Sequence, residues 1–267
     1  MSIGKSEITP FKQKDLQLLL SNQICKAYGV YRKYHKEKWY TENDTFFIDC
    51  TAGNMEPAEP TSPQIILDSV LYYNKLPSRT YLIEKHEETW KTLKVNYKKT
   101  YKKRIESSKN SRVILRKSNL QKVLSRFSKN KNRFGLIYID TNGGVLEDYM
   151  ALFHFLDNNP RIDVILNVNT SILKRTRAQG TSGMKKYNDF YFSSILEKIN
   201  KKYVWVRDNS NLRKNKHEFI MVFGTNMPNY NMEIIPHFIP VNSPQGSQIV
   251  YKYNHTKKEK ENLHYEN

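Results

Sequence analysis

Short apolar segments alternate with helical patterns along most of this chain. Five of the apolar segments are continuous and rich in β-branched residues, as strands covered on both faces must be. They are TFFIDC at 45–50, TYLIE at 80–84, RVILR at 112–116, FGLIYID at 134–140 and DVILNV at 163–168. Strand, helix and strand in repeated succession predict a mostly parallel α/β sheet with helices on both faces.

Two further strand candidates end the series, and their connection is different. YVWVR at 203–207 and FIMVFG at 219–224 are joined by a polar segment that leaves no room for a crossover helix. Parallel strands need such a crossover, whereas antiparallel strands can be joined by a turn. We therefore expect a seven-stranded sheet that ends in a C-terminal antiparallel hairpin.

The chain before the first strand has the pattern of an amphipathic helix. Within residues 10–35, opened by Pro10, one face carries apolar residues four apart, namely Leu16, Leu20, Ile24 and Tyr28. We expect this helix to pack beside the sheet as a lid or flank. The expected division is an N-terminal helical flank at 1–44, an α/β domain at 45–227 and a C-terminal extension at 228–267 that ends in a flexible basic tail.

The charge balance favours a polyanionic partner. Lys and Arg number 44 against 26 Asp and Glu, which gives a formal net charge of +18. A charge of this size creates a positive potential over much of the surface, so nucleic acid, DNA or RNA, is the expected partner. The alternative is compositional drift, because Lys outnumbers Arg and Asn, Ile and Tyr are abundant, as an AT-rich coding sequence produces.

Cysteine, histidine and hydropathy patterns indicate the compartment and the cofactor class. The two cysteines, Cys25 and Cys50, are too isolated for a disulfide framework or a zinc site. The seven His residues form no ligand spacing, so no metal is expected. No apolar run approaches the length of about 18 residues that a membrane span needs, and no signal peptide precedes the first helix. These features predict a cytoplasmic protein without a membrane span.

Polar residues recur where the predicted strands end. In open α/β sheets, ligands bind beyond the carboxyl ends of the strands, where the strand order reverses. A glycine in the first turn lets the backbone approach a ligand, and an acid at the end of the second strand can accept both hydroxyls of a ribose. These candidate positions are Asp49, Gly53, Glu84, Ser118, Asn119 and Asp140. The alternative is that Asp49 and Glu84 cap the helices that follow them.

Two common nucleotide-binding patterns are missing from the sequence. The first turn has no G-x-G-x-x-G fingerprint, and there is no P-loop, so nicotinamide and nucleoside triphosphate cofactors are disfavoured. The order FIDCTAG, SPQIILD, YLIEKHEETWKTL and LIYIDTNG, followed by the terminal hairpin, instead resembles class I S-adenosylmethionine-dependent methyltransferases, which have a Rossmann-like fold. The resemblance covers about residues 10–227.

The chain is similar, more narrowly, to the three-Cys-motif partner family. In that family an acid-x-x-x-Gly turn is followed by a loop, a Ser-Pro that opens the next helix, and an acid that ends strand two. The resemblance implies S-adenosylmethionine as the cofactor, with Asp49 and Gly53 on its methionine portion and Glu84 on its ribose. It implies Ser118 or Asn119 near the adenine and Asp140 facing the sulfonium and the substrate. It also allows for a protein partner.

One motif departs from the pattern of amino-methylating enzymes that act on nucleic acid. Those enzymes carry Asp or Asn, then Pro-Pro and an aromatic residue, after strand four, where the aromatic ring stacks on a flipped base. Here the stretch is DTNG at 140–143, so the acid is present without the prolines or the aromatic residue. Asn142 can still accept a hydrogen bond from an amine, and Tyr138 or Tyr149 either stacks on a base or belongs to the core.

We therefore expect methyl transfer from S-adenosylmethionine to nucleic acid, as in DNA modification, at a base nitrogen. Asp140 and Asn142 are the candidate catalytic residues. The alternative is a catalytically inactive, nucleic-acid-binding protein of the same fold.

Basic stretches at 94–104, 173–186 and 207–216 are the candidate phosphate contacts. The stretch at 173–186 follows strand five at the ligand edge and mixes Arg with Gly, Ser and Thr, as phosphate-binding loops do. Its candidate contact residues are Lys174, Arg175, Arg177, Lys185 and Lys186. Tyrosines interleaved with Lys are either base-stacking or packing residues, and these are Tyr97, Tyr101 and Tyr187.

Overall fold

A mixed β-sheet runs through the part of the chain that the computed structural model describes. The described residues are 9–37, 45–55, 60–127, 129, 133–140, 146–170, 173, 191–208, 219–228, 235 and 237–255. The strands are β1 Thr45–Asp49, β2 Ser78–Glu84, β3 Ser111–Lys117, β4 Gly135–Asp140, β5 Ile162–Asn169, β6 Tyr203–Asp208, β7 Phe219–Thr225 and β8 Ile239–Pro240. Their order in the sheet is β3-β2-β1-β4-β5-β7-β6-β8.

Helices connect most of the strands. They are α1 Thr9–Tyr34, α2 Ser62–Tyr72, α3 Glu87–Thr100, α4 Lys102–Ser108, α5 Leu120–Leu124, α6 Leu146–Asn158, α7 Phe192–Lys198 and α8 Pro244–Asn254. In the described part of the chain, none of these helices combines the length and the apolar character that crossing a bilayer requires.

The strand order reverses in the middle of the sheet. β1 pairs in parallel with β2 on one side and with β4 on the other. The parallel pairing continues outward from β2 to β3 and from β4 to β5. The gap between the carboxyl ends of β1 and β4 is therefore the position at which open α/β sheets bind ligands.

The antiparallel end of the sheet confirms the predicted hairpin and adds one strand. β6 and β7 pair antiparallel, with Tyr203 opposite Thr225, and β7 also pairs antiparallel with β5. The expectation of seven strands is wrong by one, because β8 pairs with the outer side of β6. β8 has only two residues and one is Pro240, so it shows no alternation that would predict a strand.

Both faces of the sheet are covered by helices, as predicted. Successive strand residues point to opposite faces, so Phe47 packs with α1 and α2, whereas Phe46 and Ile48 pack with α5, α6, α7 and α8. α3 and α4 lie on the same face as α2, where their apolar residues surround Leu82. Each strand in the centre of the sheet is therefore buried on both sides, which explains its continuous apolar sequence.

Segments from both ends of the chain contribute to this core. Leu16, Leu20 and Ile24 of α1 are fully buried, so the predicted N-terminal flank forms one of the layers over the sheet. Tyr253 of α8 is also buried in the core, and residues 256–267, which include most of the predicted basic tail, lie outside the described residues. The predicted domain boundaries at residues 44 and 227 stay a prediction.

Candidate active site

The loop after β1 bridges the point where the strand order reverses. The backbone N–H of Cys50 donates to the carbonyl of Tyr138 on β4, at 3.0 Å, and the N–H of Ala52 donates to the carbonyl of Ile83 on β2, also at 3.0 Å. The Thr51 hydroxyl accepts a hydrogen bond from the backbone N–H of Asp140, at 2.9 Å. These bonds tie the loop to both neighbouring strands and fix its position between them.

Asp49, the last residue of β1, is fully buried. Its Oδ1 accepts a hydrogen bond from the Thr51 N–H at 3.0 Å, which shapes the turn. Burial raises the pKa of Asp49 to about 7, although the Ser62 hydroxyl and the Thr51 amide oppose this rise, and the nearby charges of Asp140 and Glu84 add to it. The acids that end β2 and β4 therefore lie close enough to Asp49, at the end of β1, to raise its pKa.

Gly53 completes the turn in a conformation that favours glycine. Its φ is +64°, a left-handed value that residues with a Cβ adopt at a cost. A Cβ built at this position would meet no atom of the described residues within 4 Å. Glycine is therefore favoured by the backbone angle and not by crowding, and the turn faces open space.

Glu84 ends β2 beside this turn. Its Oε2 accepts a hydrogen bond from the Gly53 N–H at 3.1 Å, and its Oε1 accepts one from the His86 N–H at 2.8 Å. His86 is the N-cap residue of α3, so Glu84 supports the start of that helix. This contact agrees with the alternative interpretation, in which Glu84 serves to cap the helix that follows it. An ionised carboxylate has about four acceptor sites, which leaves acceptor capacity on both oxygens.

Asp140, at the end of β4, is surrounded by donors. Lys12 Nζ lies 3.2 Å from its Oδ1 and 3.1 Å from its Oδ2. Asn167 on β5 donates from Nδ2 to the same Oδ1 at 2.5 Å, and the Tyr138 hydroxyl lies 3.4 Å from Oδ2. Asn167 Oδ1 is buried and has no hydrogen-bond partner among the described residues. The site thus presents the Asp140 carboxylate, which Lys12 and Asn167 hold in a fixed orientation.

Two ion pairs, one partly buried and one buried, hold the start of α1 at this edge. Lys12 is buried, and its ammonium lies 4.7 Å from the centre of the Phe219 ring. One turn further along, Asp15 pairs with Arg207 of β6, and both side chains are almost fully buried. Burial raises the pKa of Asp15 to about 6, against the opposing effect of the Arg207 charge. α1 is therefore anchored to β4 and β6 at the ligand edge.

Lys12, Asp15 and Asn167 were missed by the sequence prediction, although the sequence carries a signal for each. Apolar residues recur every four positions on the buried face of α1, beginning at Leu16. Lys12 lies four positions before Leu16, so it is a charged residue on that face. Asp15 precedes Leu19 in the same way, and Asn167 interrupts the apolar run of β5. Polar residues at buried positions are paired with other groups as a rule.

The predicted adenine residues lie at the end of β3. The Ser118 N–H donates to the Glu84 carbonyl at 3.1 Å, so Ser118 is a neighbour of the proposed ribose ligand. Asn119 caps α5, since its Oδ1 accepts a hydrogen bond from the Lys122 N–H at 3.0 Å. Asn142 lies outside the described residues, as do the five predicted phosphate contacts, Lys174, Arg175, Arg177, Lys185 and Lys186.

Three of the tyrosines for which base stacking was one option, Tyr101, Tyr138 and Tyr149, are buried. Tyr138 and Tyr149 are each 4% exposed and sit among apolar side chains. Tyr101 is buried and donates from its hydroxyl to Asp68, at 3.0 Å, while Tyr97 packs against the same apolar cluster. Tyr187 lies outside the described residues. Within the part of the chain that is described, no three His, Cys, Asp or Glu side chains are arranged to hold a metal ion.

Comparisons with known proteins support the fold. No family model and no curated protein matches this chain. Among solved structures, protein LPL1258 from Legionella pneumophila, of the family model DUF519, is 12% identical, with a TM-score of 0.50, over 81% of this chain and 88% of its own. The bifunctional kinase-methyltransferase WbdD is 8% identical, with a TM-score of 0.46, over 80% of this chain but only 39% of its own.

A third solved structure, a "putative rRNA-methylase" from Clostridium thermocellum, is 12% identical, with a TM-score of 0.41, over 76% of this chain and 97% of its own. Likeness at such low identity concerns the fold alone. The chain has an α/β fold with a mostly parallel sheet, similar to that of LPL1258, which confirms the predicted fold class at the level of the sheet and its helical layers. The resemblance to class I methyltransferases stays a prediction. The narrower similarity to the three-Cys-motif partner family stays a prediction.

Proposed function

We propose that this protein transfers a methyl group from S-adenosylmethionine to a base nitrogen of nucleic acid. The observation that carries the proposal is the placement of three acids, Glu84, Asp49 and Asp140, at the carboxyl ends of three adjacent strands around the point of strand reversal. Ligands of open α/β sheets bind at this position. The net charge of +18 supports a polyanionic substrate.

The residues present fit S-adenosylmethionine. Glu84 retains acceptor capacity on both carboxylate oxygens for the two ribose hydroxyls, and Ser118 beside it is suited to the adenine side. The turn at Gly53 faces open space, and the buried carboxyl of Asp49 next to it suits the ammonium of the methionine portion. When bound, the cofactor supplies an electrophilic methyl group on a sulfonium.

Asp140 is the residue that would orient the substrate nitrogen, and Asn167 helps to hold it in place. An amine has hydrogen atoms to donate, and the partly exposed Asp140 carboxylate is an acceptor at this edge. Lys12 and Asn167 hold the Asp140 carboxylate in one orientation before any substrate arrives. Such preorganised polar groups stabilise the charge that develops on a nitrogen as it forms its new bond. Asn142 stays a further candidate for this role.

Two measurements test the proposal. Calorimetry with S-adenosylmethionine and its demethylated product should show binding, and transfer of a radiolabelled methyl group should occur to DNA or RNA but not to protein. Absence of cofactor binding would remove the basis of the proposal.

Cofactor binding without transfer to any substrate would instead support the second candidate, a catalytically inactive nucleic-acid-binding protein. One observation favours that candidate. DTNG replaces the Pro-Pro-aromatic motif, and in the described ranges Tyr138 and Tyr149 are core residues that offer no ring for stacking on a base.

A further inference from the structure

The positive charge of this protein is concentrated in one segment. Residues 91–129 contain 14 of the 44 Lys and Arg residues but one of the 26 Asp and Glu residues, so they carry +13 of the net +18. The other 228 residues carry 30 basic and 25 acidic residues, a net charge of only +5. A drift in base composition would raise the lysine content along the whole chain and would not remove acids from one segment.

All fourteen basic side chains of this segment are exposed. We call them the basic margin: Lys91, Lys94, Lys98, Lys99, Lys102, Lys103, Arg104, Lys109, Arg112, Arg116, Lys117, Lys122, Arg126 and Lys129. They lie on α3, α4, β3 and α5 and in the connections that follow these elements. Because β3 is the edge strand of the sheet, these elements form one side of the molecule.

The margin extends over both faces of that edge. Val113 and Leu115 of β3 pack against the apolar residues of α3 and α4. Since side chains alternate along a strand, Arg112 and Arg116 point to the opposite face, where α5 lies. Basic side chains therefore surround the β3 edge instead of forming the solvent-exposed stripe of a single helix.

Neighbouring acids neutralise only part of this charge. Within the described part of the chain, four basic residues of the margin have acidic partners, which are Asp68, Glu87, Glu88 and Glu106. Counting the three of these acids that lie outside residues 91–129 leaves an excess of +10. Such exposed pairs contribute about 0–1 kcal/mol each, so they do not explain the accumulation. Charged residues that protect an edge strand against aggregation lie on the strand itself, whereas most of this excess lies on the adjoining helices.

We propose that the basic margin docks the sugar–phosphate backbone of a nucleic-acid duplex without reading its sequence. Lys and Arg contacts to phosphate supply affinity that is independent of sequence. Single strands are held in addition by exposed aromatic side chains that stack on bases. Of the two tyrosines within residues 91–129, Tyr101 is buried, and Tyr97 is partly buried with its side chain against the apolar cluster of α3 and α4. Neither offers a fully exposed ring for stacking, which favours a duplex over a single strand.

The margin is within reach of the site at Asp140. β3 lies three strand spacings from β4, or about 14 Å at about 4.8 Å per spacing. A duplex covers that distance in about four base pairs of 3.4 Å each. One duplex can therefore rest on the margin and present a nucleotide at the carboxyl end of β4. This last step rests on the proposed function, whereas docking on the margin does not.

A matched pair of quadruple variants tests the docking. The margin variant combines Lys98→Gln, Lys99→Gln, Lys103→Gln and Arg112→Gln, which leaves the four ion pairs named above intact. The control variant removes the same residue types, also exposed, elsewhere on the surface, with Arg32→Gln, Lys33→Gln, Lys36→Gln and Lys202→Gln. Both variants lose four positive charges, so any general effect of net charge is equal in the two.

Fluorescence anisotropy with labelled DNA and RNA duplexes of about 20 base pairs, at salt concentrations from about 50 to 200 mM, gives the readout. The slope of log affinity against log salt concentration should become shallower by about 3 to 4 in the margin variant and by less than about 1 in the control. If the margin and control variants lost equal amounts of duplex affinity, the proposal would be overturned. The proposal would also be overturned if the margin variant lost affinity for phosphatidylserine vesicles but for neither duplex, because the partner would then be a membrane surface.

Calorimetry with S-adenosylmethionine distinguishes this proposal from the proposed function. The margin variant should bind the cofactor as tightly as the wild type. Suppose that duplex binding depends on the margin but the protein neither binds the cofactor nor transfers methyl groups. That result would support the docking surface and contradict the proposed methyltransferase function. If the margin variant instead methylates a duplex as efficiently as the wild type, even at about 200 mM salt, the docking proposal would be contradicted and the proposed methyltransferase function supported.

Discussion

The carboxyl edge of the sheet has two halves that are held together by different kinds of contact. At β1 and β2 the contacts are local in sequence. Asp49 bonds Thr51 and Glu84 bonds His86, each across two positions, and Glu84 reaches Gly53 across 31. In all three the donor is a backbone N–H, so this half is a pair of turns joined by carboxylates.

At β4 and β6 the contacts come from distant parts of the chain. Lys12 reaches Asp140 across 128 positions, and Arg207 pairs with Asp15 across 192. Both are side-chain ion pairs that depend on where α1 packs. The first half can therefore form as soon as its strands pair, whereas the second half requires the complete fold, and substitutions in the two halves should have different consequences.

The largest effect is expected from breaking the buried pair that anchors α1. Arg207→Met should destabilise the protein by about 3–5 kcal/mol, because it leaves the Asp15 carboxylate buried without its partner. The double variant Asp15→Leu with Arg207→Met removes both charges and should recover most of that loss. Urea unfolding of the single and double variants measures both values. A double variant no more stable than the single one would show that the pair is not the source of the stability.

The next largest effect concerns the carboxylate at the end of β4. Asp140→Ala should lower the rate of methyl transfer by about 10²- to 10³-fold, the usual result of removing one preorganised polar group. Cofactor affinity should fall far less, because the turns at β1 and β2 do not use the Asp140 side chain. Single-turnover transfer and calorimetry give the two values.

Lys12 is left without its partner in that variant, so a second variant is needed. Asp140→Ala combined with Lys12→Met removes the ammonium as well and restores a neutral environment at the edge. If the double variant recovers the transfer rate, the unpaired Lys12 and not the lost carboxylate caused the defect, and Asp140 has no role in the reaction.

These two halves also differ in how far the sequence predicts them. The central strands follow from continuous apolar, β-branched runs, because burial on both faces requires such runs. The turns after β1 and β2 follow from an acid and a glycine placed within a few positions of a strand end. Both kinds of signal lie within a short window of sequence, and the predicted strands agree with the observed ones within two residues at each end.

The contacts of Asp140 are not predictable in the same way. No local pattern relates Lys12 to a residue 128 positions away, and only the docking of α1 on the sheet brings the two together. A lysine on an apolar helix face predicts a partner but does not identify it. β8 is a similar case, since a two-residue strand containing Pro240 becomes a strand only by pairing with β6.

A smaller effect is expected in the first half of the edge. Glu84→Ala should weaken S-adenosylmethionine binding by about 1–3 kcal/mol, the scale for hydrogen bonds to a charged acceptor. Glu88→Ala is the matched control, because that carboxylate lies on α3 only four positions further along and is 84% exposed. Calorimetry on both variants gives the comparison, and equal affinities would exclude Glu84 as the ribose ligand.

The smallest effect expected is a pH dependence that originates at Asp49. Burial raises its pKa to about 7 from an ordinary value of 3.8, so below pH 7 the folded protein holds a proton that the unfolded chain releases. Its contribution to stability is therefore present at low pH and is lost as the pH rises from about 4 to about 7. A cationic ligand requires the ionised carboxylate, so binding must release that proton.

Affinity for S-adenosylmethionine should consequently increase with pH, by about threefold between pH 6.5 and 7.5. Calorimetry in two buffers of different ionisation enthalpy should detect the released proton below pH 7. Asp49→Asn cannot ionise, so it should bind more weakly and show no such dependence. An unchanged pH profile in Asp49→Asn would place the titrating group elsewhere and remove Asp49 from the methionine side of the site.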